Sequence, residues 1–491
     1  MKRRKFVKSA LSSAAIASVP FTRAKAADLS AKTLSGEETV LSEAELKGFD
    51  ESLRGRLFKP NTEGYDQVRK IWNGAWNDKR PALVARCSGI KDVINAVEFA
   101  RTHDLLVALR GGGHSISGKS ICEGGMVIDM SAMDGVHVDP FAQTARLESG
   151  VLLGALDRAS QHFGLATTAG VVSHTGAAGL TLGGGIGRLQ RKHGLTIDNL
   201  LSADVVTPDG RFLRASSEEN QDLFWGLRGG GGNFGIVTSF EYQLHKVGPK
   251  VLNVSFMYPI SEAKDVLNFY FDFNMNTPDD LYIGAGMAIP PGERGFAMIS
   301  GCYFGDFAEG ERLIEPLRKF GKPMFSNVGP IEYVDLQSRN DRNNEHGHHY
   351  YAKSGFFTDI ETAVIDNAVD RFTGTDSRRT LLLISPFGGE VGRVADDATA
   401  FPHRDTQYQI EISSGWEDAE LSDGNVQWCR NYWDALEPFT SGGFYVNFMI
   451  DQQQEKLNEN YRGNYDRLVA LKNKYDPTNF LRLNANIEPT V

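Results

Sequence analysis

Cysteine is scarce in this chain. Four occur in 491 residues, and Cys87, Cys122, Cys302 and Cys429 stand too far apart to form a Cys-x-x-Cys pair. That spacing excludes a zinc ribbon and a thioredoxin-like centre and leaves buried thiols as the ordinary reading. No Gly-x-x-x-x-Gly-Lys-Ser/Thr sequence is present, which argues against a nucleoside triphosphatase. Past the N-terminus no apolar run approaches the roughly 20 residues that a spanning helix needs, so no membrane insertion is expected. Internal repeats and low-complexity tracts are also missing.

The first residues do not read as part of a fold. Arg3-Arg4-Lys5-Phe6-Val7-Lys8 fits the twin-arginine export pattern. A short apolar stretch over 10–20 follows, and Ala24-Lys25-Ala26 offers a small-residue cleavage site. Residues 1–26 are therefore expected to be a signal peptide, and the mature protein periplasmic or secreted. Cleavage would remove seven basic and no acidic residues. Lys plus Arg then falls from 52 to 45 against 62 Asp plus Glu, a net charge of −17. Such a surface repels nucleic acid, so no nucleic-acid partner is expected.

Glycine, by contrast, is abundant and clustered. Arg110-Gly111-Gly112-Gly113-His114-Ser115 follows an apolar run, 105–109, that reads as a buried strand. Three glycines at a strand's end let the backbone wrap an anion closely. An imidazole set directly behind such a cradle suggests a covalently held cofactor. A second cluster spans 170–187 and a third 222–235. Gly230-x-Gly232-x-x-Gly235 satisfies the dinucleotide fingerprint literally, but a helical pattern precedes it and a strand pattern follows. That context is the reverse of a Rossmann site. Three clusters within about 125 residues are better explained by backbone packing along one long ligand than by turns.

Strand patterns at 82–86, 126–130 and 144–151 alternate with helical ones at 90–103 and 152–163. A hairpin is expected over 200–214, with Thr207-Pro208-Asp209-Gly210 at its turn. Residues up to about 59 read as a polar surface lead-in. The pattern argues for an α+β cofactor domain over 50–250. From 251 the glycine clusters thin out. Strand patterns at 281–287, 296–304, 381–385 and 408–414 are separated by helical ones at 263–274, 310–320, 360–372 and 424–436, a second α+β domain over 251–440. A last segment, 441–491, carries a short strand at Tyr445 and a helix over 461–474.

Taken together, these motifs resemble the berberine-bridge-type members of the vanillyl-alcohol-oxidase and p-cresol-methylhydroxylase flavoproteins. The resemblance rests on the loop 110–115, on Thr175-Gly176-Ala177-Ala178-Gly179 through Gly183 and Gly187, on Gly194-Leu195-Thr196-Ile197-Asp198-Asn199 and on the run 222–235. It continues through Ala400-Phe401-Pro402-His403-Arg404, Tyr445-Val446-Asn447 and Asn484-Ala485-Asn486-Ile487. It implies an α+β fold: an FAD-binding domain of two α+β subdomains, a substrate domain with an antiparallel sheet covered by helices, and a C-terminal return to the cofactor domain. FAD contacts are implied for Arg110, Gly111, Gly112, Gly113, His114, Ser115, Thr175, Gly176, Gly179, Gly183, Gly187, Asn233, Ile236, Asn447, Asn484 and Asn486. The same resemblance implies a bond from His114 to the flavin 8α-methyl. Many relatives carry a second, cysteinyl link three positions before Thr175. Here that position is Val172, so attachment through His114 alone is expected. Thr175 occupies the place associated with oxygen access.

Oxidation of a C–H bond by a flavin needs hydride transfer and removal of a proton from the neighbouring O–H or N–H. Tyr445 is the expected base, alternating with Asn447 along the apparent strand so that both share a face. A free tyrosine has a pKa near 10, and Lys353 is the candidate for a positive charge beside it. Glu345-His346-Gly347-His348-His349 matches no common zinc spacing; the segment reads as a pocket wall, with Tyr351 and Lys353 on one face and Tyr350 on the other. Arg404 and Tyr408 are candidates for substrate contact or for structural bonds. The expected partners are a small-molecule substrate, with an alcohol, hemiacetal or amine carbon, and oxygen or another electron acceptor. A flavin-holding protein without turnover is the non-enzymatic alternative.

Overall fold

A computed structural model describes residues 28–290, 294–372 and 379–491. The expected signal peptide lies outside the described residues. Among these, three sheets of four or more strands carry the architecture.

The first sheet is four-stranded. Leu83–Arg86 and Val107–Arg110 flank Met126–Asp129 in parallel, and Arg56–Phe58 adds an antiparallel edge. Both faces are covered, Ala85 and Ile128 on one side and Val84 and Val127 on the other. That double burial is why these strands read as unbroken apolar runs. The helix Ile90–Thr102 connects the first two parallel strands.

The segment read as a surface lead-in joins this core instead. Leu29–Lys32 and Glu38–Leu41 form a hairpin, and Ala31, Leu41, Leu46 and Phe49 are buried in the same cluster. The helix Glu43–Ser52 opens on a capping box: the Ser42 N–H donates to the Glu45 carboxylate (2.8 Å) and the Ser42 hydroxyl accepts from the Glu45 N–H (3.3 Å). Ser-x-x-Glu before an apolar-periodic run is the sequence signal that marks this start.

The second sheet is antiparallel, in the order Phe212–Ser216, Leu200–Val206, Ile236–Gln243, Thr144–Glu148, Val136–Asp139. The hairpin closes at Thr207–Gly210 as expected, with the Thr207 N–H donating to the Arg211 carbonyl. The helix Gln221–Leu227 precedes the fingerprint glycines Gly230, Gly232 and Gly235 and the strand Ile236–Gln243 follows them, the order that a Rossmann turn reverses.

The third sheet has seven antiparallel strands: Phe325–Glu332, Lys250–Pro259, Phe296–Tyr303, Leu281–Ile289, Arg379–Pro386, Tyr408–Trp416 and His349–Phe357. Helices Ala263–Asn274, Thr362–Phe372 and Ser422–Leu436 cover one face. Alternation along the strands divides the sheet cleanly. Tyr408, Ile410 and Ile412 enter the helix-packed core, whereas Gln409, Glu411 and Ser413 point into a cavity on the other face.

One helix departs from its expected form. The pattern at 310–320 is two short helices, Phe307–Leu313 and Glu315–Lys319, because Pro316 lacks an N–H and crowds the carbonyl of the preceding turn. The expected C-terminal helix at 461–474 is present as Tyr465–Tyr475, and a further short helix, Gln454–Asn460, precedes it.

Candidate active site

A cavity of about 900 Å³ opens between the glycine-rich loops and the uncovered face of the seven-stranded sheet. Its floor is built by backbone contact. A Cβ on Gly112 would lie 2.4 Å from the Gly176 Cα, and one on Gly176 would lie 2.6 Å from the Gly112 nitrogen. Each glycine is required by the other, so the first and second clusters form one surface. Gly111 lies against the Ser149 carbonyl, Gly183 against the Asn447 side chain, and Gly187 against the Ala169 carbonyl. Gly179 differs. It lines the cavity, and a Cβ there would meet nothing within 4 Å.

Arg110, at the end of its strand, braces the loop from behind. Its buried guanidinium pairs with Asp129 (3.4 Å) and donates to the Val68 carbonyl, and it is not among the residues lining this cavity. Gly113 adopts a left-handed φ of +68°, which turns the chain so that His114 reaches the cavity wall. The His114 ring stacks on Trp72 (4.1 Å between centroids, 12°), and Trp72 stacks on Tyr350 (4.2 Å, 9°). His174 lies 5.1 Å from His114, and His346 lies 4.8 Å from His174. Burial, then the neighbouring rings of His174 and His346, push the His114 pKa down to about 3. The imidazole is therefore neutral at physiological pH, and its Nε2 is buried without a hydrogen-bond partner.

Ser115 accepts a bond from the Lys119 N–H (3.1 Å), and the Lys119 ammonium donates to the Asn484 carbonyl (2.5 Å). This ties the first loop to the C-terminal segment. Thr175, Gly176, Ile236, Asn447 and Asn484 line the cavity, and the Asn484 Oδ1 is buried without a partner. Asn233 does not line it. Its side chain donates to the Gly230 and Ala485 carbonyls and accepts from the Ile487 N–H, clamping the third glycine cluster to the chain's end. Asn486 is likewise outside the lining residues, and its carbonyl accepts from Gln454. Val172 lines the cavity and no described cysteine does; all four cysteines are buried free thiols.

Tyr445 lies at the start of a 3-10 turn, Val446–Phe448, rather than on the expected strand. The turn still brings its two polar residues together. The Asn447 amide donates to the Tyr445 hydroxyl (2.8 Å), as does the Gly185 N–H (3.1 Å). Burial raises the phenol's pKa, and these donors pull it back in part.

Lys353 is placed elsewhere. It shares a strand face with Tyr351, as the alternation indicates, but that face packs against the helix Ser422–Leu436. Its ammonium bonds Asp451 (2.5 Å), which also takes bonds from the Tyr351 hydroxyl and Arg430. The charge expected beside Tyr445 is therefore neutralised on the far side of the sheet; Tyr350 is the residue of this segment that lines the cavity. Arg404 is also structural, forked onto Asp198 (2.8 and 2.9 Å). Tyr408 packs in the helix-covered core.

One functional group escaped the sequence reading. Glu411 projects from Tyr408–Trp416 into the cavity, and burial lifts its pKa to about 7, a Ser413 hydrogen bond offsetting part of the rise. The signal was present as a lone charge at an alternate position of an apolar strand.

The walls suit FAD. They combine a backbone cradle that no side chain can fill, a bare helix face at Gly179, and unpartnered polar atoms on His114 and Asn484. Comparisons with known proteins agree. A family model described as an FAD binding domain matches residues 81–216, and one described as berberine and berberine like matches residues 444–488. The chain is 34% identical to an FAD-linked oxidoreductase of Dictyostelium discoideum, covering 90% of this chain and 96% of that one. It is 30% identical to (R)-6-hydroxynicotine oxidase of Paenarthrobacter nicotinovorans, covering 89% and 97%. The crystal structure of 6-hydroxy-D-nicotine oxidase from Arthrobacter nicotinovorans superposes with a TM-score of 0.82 at 29% identity, over 89% and 98% of the two chains. Glycine cradle, substrate sheet and C-terminal clamp thus share one explanation: the chain belongs to the berberine-bridge-type FAD-linked oxidoreductases of the vanillyl-alcohol-oxidase and p-cresol-methylhydroxylase superfamily.

Proposed function

We propose that this FAD-dependent oxidoreductase oxidises an alcohol, hemiacetal or amine carbon of a small organic substrate, with FAD held by one bond to His114 and with oxygen as the acceptor. The observation that carries the reading is the convergence of His114, Tyr445 and Glu411 on one cavity. FAD supplies the hydride acceptor when bound. The chain's own residues attach it, orient the substrate and take the substrate's proton. A neutral imidazole with a free, buried nitrogen is the form of His114 able to make the bond. The presence of Val172 and the absence of any described cysteine from the cavity support single attachment.

Two groups suit the proton. Tyr445 receives hydrogen bonds from Asn447 and Gly185, which favour its phenolate. Glu411, with a pKa near 7, is already matched to the work of a base at neutral pH, and we assign it that role, with Tyr445 positioning the substrate's oxygen or nitrogen. Export by the twin-arginine route, with Arg3 and Arg4 as its signal, completes the proposal; it suits a protein that must capture FAD while folding.

Acid precipitation tests the attachment: a yellow pellet supports it, and a colourless one refutes it. A panel of alcohols, sugars and amines, followed by bleaching of the flavin, tests the activity. Mixing the photoreduced protein with oxygen and with quinones then identifies the acceptor: fast reoxidation by oxygen marks an oxidase, reoxidation by quinone alone a dehydrogenase. A flavin that no compound reduces would favour a binding protein.

A further inference from the structure

Two guanidinium groups line the same cavity on a wall that the chemistry above does not use. Arg188 follows the second glycine cluster and is 4% exposed. Arg339 ends the helix Tyr333–Ser338 and is half-buried. Both line the cavity beside Asn253 and Tyr282. Asn253 and Tyr282 face the same partner residue, Cys302, from neighbouring strands, so they mark one row across the sheet. Arg339 donates to the Asn253 Oδ1 (2.7 Å) and Arg188 to the Gln337 Oε1 (2.6 Å). Gln337 in turn donates to the Gly170 carbonyl (3.1 Å), and Asn253 to the Asn327 carbonyl (2.8 Å). Both arginines are thus held in place by neutral amides that are themselves anchored.

Among the described residues, neither arginine takes part in an ion pair. The carboxyl that acts on Arg188 is Asp157, on the helix Leu153–Gln161 that packs against Tyr333–Ser338. It is buried, its Oδ2 has no partner, and burial lifts its pKa to about 7 against the pull of Arg188 and Arg158. At neutral pH it offsets only part of the charge on Arg188. Arg339 is pushed down to about 10, first by burial and then by its like-charged neighbour Arg188. Two neighbouring cations lining one cleft, short of counter-charge, favour an anion that joins them. Each guanidinium has five N–H donors in a planar fork, and the described side-chain bonds engage one nitrogen of each.

The remainder of the sheet face indicates which part of a ligand this is. Two residues along, the next row across the sheet is Ser255, Ser300, Gly284 and Ser385. The row after that is Met257, Met298, Gly286, Leu383 and Glu411. Asn253 and Met257 stand four residues apart on one strand, about 13 Å at strand spacing. The face therefore grades from cationic, through hydroxyl-bearing, to apolar with one carboxyl. Neither arginine belongs to the Gly111–Gly113 cradle that suits a pyrophosphate.

We propose that Arg188 and Arg339 form an oxyanion subsite, so that the substrate carries a carboxylate or phosphate remote from its oxidised carbon. This rests on the oxidoreductase reading above, because it assigns the substrate class of that same cavity. A planar guanidinium fork fits either oxyanion bidentately. The arginines hold the substrate and set specificity; Glu411 and Tyr445 remain the groups at the reacting end.

Calorimetric titration of the flavin-loaded protein with benzoate, phenylphosphonate, benzamide and benzylammonium tests the subsite without knowledge of the substrate. Benzoate or phenylphosphonate should bind at least about tenfold more tightly than benzamide, a difference of about 1.4 kcal/mol. The tighter of the two oxyanions identifies the natural group, and benzylammonium should bind no more tightly than benzamide. R339Q should reduce the preference to under about threefold at unchanged flavin content, and R339K should retain part of it. Equal binding of benzoate and benzamide to the wild type overturns the proposal, even if R339Q fails to fold; so does an R339Q protein that keeps the anion preference. A protein whose flavin is bleached by no substrate yet prefers oxyanions would refute the activity while leaving the subsite in place.

Discussion

Replacing Glu411 with glutamine keeps the side chain's size and its capacity to bond Ser413, and it removes only the ability to take a proton. A positioned general base contributes about 10²–10⁴-fold, so E411Q should lose about 3–5 kcal/mol of transition-state stabilisation. The pH profile carries the sharper test. With a pKa lifted to about 7, the wild-type carboxyl is ionised to about 1% at pH 5. The wild-type kcat/KM, measured with the substrate that the panel identifies, should fall about tenfold per pH unit below 7. In E411Q that acid limb should vanish along with most of the rate. Stability should move the opposite way. An acid whose pKa rises from 4.5 to about 7 on folding binds its proton more tightly in the native state. Native stability therefore declines as pH rises through that window and is lowest above 7. E411Q should recover at most about 3 kcal/mol at pH 8, less to the extent that cavity water screens the charge. Urea unfolding checks that gain. An E411Q enzyme within threefold of wild-type kcat/KM, or one that keeps the acid limb, would refute the base assignment and return it to Tyr445, whose Y445F variant would then carry the loss.

Other outcomes follow from the same geometry. His114→Ala should give a colourless acid-precipitated pellet from protein that still folds, since His114 packs on one face of Trp72 and Tyr350 continues to hold the other; retained colour would contradict the histidyl bond. G112A should destabilise the protein by at least about 1–3 kcal/mol, because its Cβ would strike the Gly176 backbone. G179A, which meets open space, should leave the melting temperature of flavin-free protein unreduced while lowering the flavin-to-protein ratio. His403 is buried, bonded to the Asn460 carbonyl (2.9 Å) and depressed to about 3, mainly by burial. Its contribution to stability is complete above about pH 6.5 and declines as pH falls toward 3; about 2 kcal/mol should be lost by pH 5, and urea unfolding of H403Q should show a correspondingly flatter pH dependence. Substituting Arg3 and Arg4 with lysine should retain the protein in the cytoplasm of its host, as immunoblots of periplasmic and cytoplasmic fractions will report.

The strands and helices that bury one continuous face were legible in the sequence, because burial leaves a period. The helices Ala263–Asn274 and Gln221–Leu227 and the hairpin at Thr207–Gly210 lie where pattern and turn chemistry put them. The lead-in was misread because its apolar residues are few and spread over a hairpin and a short helix; its capping box was the surer sign. Lys353 shows a different limit. Alternation correctly paired it with Tyr351, but alternation cannot say which face of a sheet looks into a cavity. That depended on Asp451 and Arg430, about 80–100 residues away in the chain.

Sequence alone determined the cofactor class and set a histidine directly behind the glycine cradle. Glycine loops and a following histidine are local: the anion cradle and the ring nitrogen come from adjacent residues. Only the tertiary structure decided which groups face the cavity. Glu411, Arg188 and Arg339 lie on three separate elements and become a site only when the sheet closes over the glycine loops. The proton affinities of Glu411 and Arg339 are set by that enclosure, which no local pattern records.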